Sequence, residues 1–182
     1  MSKDKIFKLI LEPDPILHKS SEIVKNIDQE IVHFSEKLIS TMVHYNGLGL
    51  AAVQVGVLKK IIAVDFMEQE DVFQQTGLKG PTILINPEII DVSRETKTYK
   101  EGCLSFGNIY PEVERANRVK IKYMNLKEEE KIVELSDTIL SSCLQHEIDH
   151  TNGIVFLDKL SKIKKDFMKK KYLKWRKNRD FI

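Results

Sequence analysis

His146 and His150 stand four residues apart in the run Gln145-His146-Glu147-Ile148-Asp149-His150. On an α-helix that spacing is about 6 Å along the axis and about 40° in direction, so both imidazoles can reach one metal ion. Glu147 lies beside them. A divalent metal lowers the pKa of water bound to it, and a neighbouring carboxylate can take the proton that is released. The pattern is short, and five His in 182 residues can fall at this spacing on a charged helix face by chance. The context argues for the metal. Ile139, Cys143 and Leu144 read as a buried helix, and a buried helix with two His and two acids needs partners for them.

Two His leave a metal site one ligand short. Downstream of His150 there is no further His and no Glu, only Asp158, Asp166 and Asp180. That argues against ordinary zinc proteases and points upstream to the two cysteines. Cys143 precedes His146 by three residues on roughly the same face, but sits a further turn from His150. Cys103 lies in Lys100-Glu101-Gly102-Cys103-Leu104-Ser105, where Gly102 permits close backbone approach, and spacing favours it without excluding Cys143. Gln54 interrupts an apolar run over 48–58, and a buried amide there needs a hydrogen-bonding task.

These residues need a scaffold. Residues 28–45 show helical apolar spacing, with Asp28 as N-cap and Asn46-Gly47 as stop. Residues 60–66 read as a strand and 68–80 as a polar loop. Residues 82–86 and 88–92 read as two strands broken by Pro87, and 118–124 and 131–135 as two more joined by a turn. Ser136 is the expected cap of a helix over 137–152 closed by Gly153, and a charged helix fills the C-terminal tail. Short strands that do not alternate regularly with helices predict an α+β fold with antiparallel or mixed sheets, not a doubly wound one.

Composition narrows the class. Hydrophobic residues make up 42% and charged residues 31%, which reads as globular rather than disordered or fibrous. The longest nearly apolar run is too short to span a bilayer. No apolar stretch follows the first five residues, so no leader is expected, and two cysteines make no disulfide framework. The expected setting is a reduced cytoplasm. The net charge of +2 hides an asymmetry: residues 159–182 carry +9 and the rest −7.

Three segments together resemble the peptide deformylase family: Gly47-Leu48-Gly49-Leu50-Ala51-Ala52-Val53-Gln54, Glu101-Gly102-Cys103-Leu104-Ser105, and Gln145-His146-Glu147-Ile148-Asp149-His150. The resemblance covers about residues 6–160, includes Pro13-Asp14-Pro15-Ile16-Leu17, and is closest to the bacterial form with a helical C-terminus. It implies sheets packed around the central metal-binding helix, a catalytic domain over 1–160 and a basic helical tail over 161–182. Cys103, His146 and His150 would hold one divalent metal, usually Fe²⁺, with Zn²⁺, Ni²⁺ or Co²⁺ able to replace it. Glu147 would be the general base, with the Gln54 side chain and the Leu104 backbone N–H stabilising the oxyanion. The substrate implied is an N-formylmethionyl peptide. Its methionine pocket would be formed by Leu48, Tyr99, Glu101, Ile139, Ser142, Cys143 and His146, with Gly49 on the peptide backbone.

The sequence departs from the family pattern in places. Gly107 replaces a usual Pro and is expected to loosen the loop after Cys103. Ser142 replaces an apolar residue and is expected to make the pocket more polar; Asn46 and Thr151 also depart. The family further implies docking of the basic tail on the ribosome; a monomer is expected, and Phe167, Met168, Leu173 and Trp175 give the tail only a thin apolar side, which argues against a membrane-surface helix. Two rivals remain: another amidohydrolase or peptidase built on the same helix, and a non-catalytic paralogue that binds ribosomes or nucleic acid. The paralogue is expected to have lost Glu147, Gln54 or a ligand, and all are present.

Overall fold

Asp28 accepts a hydrogen bond from the Ile31 N–H and so starts α1 (Gln29–His44), whose buried side chains include Leu38 and Met42. The structure, a computed structural model, describes residues 6–179. The expected leaderless start and the end of the basic tail lie outside them. The small apolar run after α1 forms β1 (Gly49–Ala51) and a 3-10 turn over Ala52–Val55. β2 (Ile61–Asp65) follows.

The segment expected to be a loop holds a short helix, α2 (Glu70–Thr76). It buries only Val72 and has no side-chain cap, so the sequence carries little helical signal there. Then come β3 (Pro81–Val92), β4 (Thr96–Lys100), β5 (Glu112–Ala116), β6 (Arg118–Met124) and β7 (Glu130–Ser136). β3 is one strand rather than the expected two. Its pairing with β6 shifts register between Ile85 and Glu88, which lets Pro87 sit in the strand despite lacking an N–H. α3 (Ile139–Thr151) starts later than expected: Thr138, not Ser136, caps it by accepting from Ser141 N–H. Asp137, at φ +57°, is in a left-handed conformation no α-helical residue adopts. α4 (Lys162–Arg179) ends the fold.

The strands form a five-stranded antiparallel sheet in the order β1-β2-β3-β6-β7 and a separate β4-β5 hairpin, giving the α+β architecture. Alternation along β2 explains how the sheet holds two helices. Ile62 and Val64 pack on one face with Leu140, Leu144 and Ile148 of α3. Ile61 and Ala63 pack on the other with Leu38 and Met42 of α1. A third cluster, including Cys103, Phe106, Phe156 and Tyr172, joins α4 to the body. Tyr172 Oη donates to the Glu12 carbonyl at 2.6 Å, and Arg176 donates to the same oxygen. No described helix is long and apolar enough to cross a membrane.

Candidate active site

Leu140, Leu144 and Ile148 recur every four residues along α3 and anchor it to the sheet. Ser142, His146 and His150 recur at the same interval on another face, toward the segment that carries Cys103. Cys103 Sγ lies 3.3 Å from His150 Nε2. Ligand atoms of Cys103, His146 and His150 all fall within 4.8 Å of one another, and all three residues are buried. Spacing left Cys143 open as a ligand, but it is not in this cluster. Its Sγ lies against Gly49, and burial pushes its thiol well above the ordinary range, which disfavours the thiolate a metal requires.

The outer partners of the imidazoles set which nitrogen is available. His146 Nδ1 is 2.8 Å from Glu101 Oε2, and donation there leaves Nε2 for a metal. Burial and the charge of nearby His146 push His150 well below its ordinary value, toward the neutral imidazole that coordinates metal. A thiolate and two imidazoles, each giving up its proton as a metal binds, would form a donor set suited to a divalent transition metal.

Glu101 is held in turn. Arg115 grips it in a two-pronged contact, Nε to Oε1 at 2.7 Å and Nη2 to Oε2 at 3.0 Å, and Ser142 Oγ donates to Oε1 at 2.8 Å. Burial alone would raise the Glu101 carboxyl, but the hydrogen bonds with His146 and Arg115 outweigh it and bring it down to about 2. Arg115 also bonds Asp149, the second acid of the helix, and Lys159 Nζ stands 3.2 Å from Asp149. The sequence reading missed Arg115 because it missed β5. The available signal was phase: Val113 and Arg115 share the buried face of that short strand.

Glu147 is 4% exposed, and its Oε2 has no hydrogen-bond partner among the described residues. Burial pushes its carboxyl up to about 7, which suits a group that must take and give a proton near neutrality. Gln54 is 1% exposed. Its Oε1 accepts from Ala51 N–H at 2.8 Å, and Nε2 donates to Ser105 Oγ at 3.1 Å and faces Cys103 Sγ at 3.5 Å. The short apolar run therefore fixes the amide and aims its N–H groups at the cysteine loop.

A cleft of about 800 Å³ opens onto this centre. Leu48, Gly49, Glu101, Cys103, Leu104 and Ile139 line it, as do Ser142, Cys143, His146 and Glu147. Gln54 and His150 lie outside that lining. Tyr99 also does. It precedes Lys100 and shares its strand phase with Glu101, and both of these line the cleft. Ser142 bounds the cleft, but its hydroxyl is committed to Glu101. Gly107, expected to loosen its loop, is covered by the Trp175 indole.

A buried carboxylate beside three converging metal-ligating groups is the arrangement of a metal-dependent hydrolase. The chain matches the polypeptide deformylase family over residues 6–166. It is 39% identical over 166 residues to a peptide deformylase of Agrobacterium fabrum, spanning 91% of this chain and 94% of that one. It is 42% identical to a peptide deformylase of Bartonella bacilliformis, spanning 91% of each. The crystal structure of peptide deformylase from Ehrlichia chaffeensis superposes with a TM-score of 0.86 at 39% identity, covering 97% of this chain and 99% of that one. The chain belongs to the polypeptide deformylase family.

Proposed function

We propose that the chain hydrolyses the N-formyl amide of N-terminal formylmethionine on nascent polypeptides, releasing formate and a free amino terminus. The observation that carries this reading is the convergence of Cys103, His146 and His150, with the buried carboxylate of Glu147 in the cleft that opens onto them, in a deformylase fold. In this reading Cys103 Sγ, His146 Nε2 and a ring nitrogen of His150 hold one divalent metal, ferrous iron, with zinc, nickel or cobalt able to replace it. When bound, the metal supplies Lewis acidity toward the formyl oxygen and lowers the pKa of water.

Glu147 takes the proton of the attacking water and then delivers it to the leaving amine nitrogen. The Gln54 side-chain amide and the Leu104 backbone N–H donate to the oxygen that becomes negative as the formyl carbon turns tetrahedral. Leu48, Glu101, Ile139, Ser142, Cys143 and His146 surround the methionine side chain. β1 is an edge strand of the sheet, which supports binding of the peptide along Gly49 as an added strand. Tyr99, two residues before Glu101 and in phase with it, completes the wall of that pocket in this reading. The test is formate release from formyl-Met-Ala-Ser by the iron-loaded protein; a metal-loaded protein that releases none contradicts the proposal.

Gly49 has a second task. A Cβ at this position would lie 2.6 Å from Glu147 Cγ and Oε1 and 2.8 Å from Cys143 Sγ. Gly49→Ala therefore displaces the base and lowers kcat on the order of 10²-fold, with metal content unchanged. Steady-state formate release with metal analysis checks this, and wild-type kcat in the variant would show that Glu147 has room to move.

Residues 161–182 form a basic appendage to a catalytic body over 1–160 in this reading, and the monomeric protein works in the cytoplasm where nascent chains emerge. The +9 charge over residues 159–182 supports docking on ribosomal RNA phosphates. Cosedimentation with ribosomes at low salt, lost as salt rises, is the expected result. Binding that does not respond to salt contradicts it.

A further inference from the structure

Resting on the deformylase reading, we propose that Trp175 of the C-terminal helix forms a subsite for apolar side chains that follow the methionine of the formylated peptide. The cleft lined by Cys103 and Glu147 is lined also by Leu11, Gly107 and Trp175. The formyl group terminates the substrate at the metal ligands, and the methionine side chain fills the part beside Leu48 and Ile139. Residues further along the peptide then occupy the part of the cleft beside Leu11, Gly107 and Trp175.

The indole is set there by specific packing. Gly107 has φ +58° and ψ −133°, and a Cβ on it would lie 2.1 to 2.4 Å from three ring carbons of Trp175. The missing side chain lets the ring lie on the backbone of the loop that follows Cys103 and Leu104. Phe106, Tyr172 and Trp175 form a consecutive aromatic series, with centroids 5.5 and 5.7 Å apart. Tyr172, 2% exposed and bonded to the Glu12 carbonyl, already docks α4 on the body. Trp175 is half-buried and reaches the cleft wall, where a rigid indole offers a large apolar surface. The helix read from sequence as a cationic appendage therefore also contributes a wall of the substrate cleft.

The test compares formyl-Met-Ala with formyl-Met-Ala-Phe on the metal-loaded full chain. In Trp175→Ala the ratio of kcat/KM for the longer peptide to that for the shorter falls about fivefold, and Trp175→Phe restores part of it. The ratio cancels any loss of folded or metal-loaded protein, so a partly misfolded variant still reports. Trp175 is the sole tryptophan of the chain. Its emission in the wild-type protein shifts on titration with Met-Ala-Phe and does not shift with Met-Ala. A ratio unchanged in Trp175→Ala, or equal emission with both peptides, overturns the subsite. If the wild-type protein hydrolyses neither formylated peptide, the deformylase reading fails, and the emission titration still decides the subsite.

Discussion

Glu147→Gln lowers kcat by about 10²–10⁴-fold or more while the protein retains its metal. The expectation follows from position. Glu147 is adjacent in sequence to His146 but stands outside the set of converging ligand atoms, so its loss leaves Cys103, His146 and His150 intact. Its Oε2 has no partner among the described residues, so that oxygen is available to accept the proton of an attacking water. Gln keeps the volume and hydrogen-bonding shape but cannot accept that proton. The variant therefore separates binding from catalysis. Metal analysis beside single-turnover formate release checks both halves. A variant that loses its metal would make Glu147 a structural support of the cluster, and one that turns over normally would remove it from the mechanism.

Arg115→Met is the second large expected effect, this time on stability and metal affinity. The Arg115 side chain is 3% exposed, and it forms ion pairs with both Glu101 and Asp149. Removing it leaves buried carboxylates, with Lys159 beside Asp149 as a remaining cation. Breaking a buried ion pair in this way costs about 3–5 kcal/mol. Glu101 then loses one of the groups that hold it ionised and oriented, and His146 loses the fixed acceptor that sets its ring. Loss of such outer support lowers metal affinity about 10–100-fold. Arg115→Lys should rescue little, because a single ammonium cannot reproduce the planar grip on Glu101 while also reaching Asp149. Urea unfolding and competition with a chelator measure the two effects. Wild-type stability with wild-type affinity in Arg115→Met would show that the network positions nothing.

The reaction centre was partly legible because part of it is local. The spacing of His146, Glu147 and His150 needs only one helix, and an amide inside an apolar run marks Gln54. Choosing between Cys103 and Cys143 needs a contact that closes over 47 residues, which spacing cannot supply. Arg115 was invisible for a related reason. β4 and β5 are five residues each and hold few apolar side chains among charged ones, so neither shows a clear apolar period. α2 buries one side chain, and no periodicity could announce it. At the start of α3, Ser136 and Thr138 are both good caps, and the left-handed Asp137 decides between them. Gly107 stood out as a departure, but the reason for it lies in a tryptophan on a distant helix.

In the proposed function, one divalent metal held by Cys103, His146 and His150 makes this chain a formyl-peptide hydrolase. Titrating ferrous iron anaerobically into metal-free protein, with formyl-Met-Ala-Ser present and formate measured, tests it most directly. Formate release should rise linearly, saturate at one equivalent per chain, and disappear on chelation. Release that does not depend on added metal, or none at one bound equivalent, would contradict the claim.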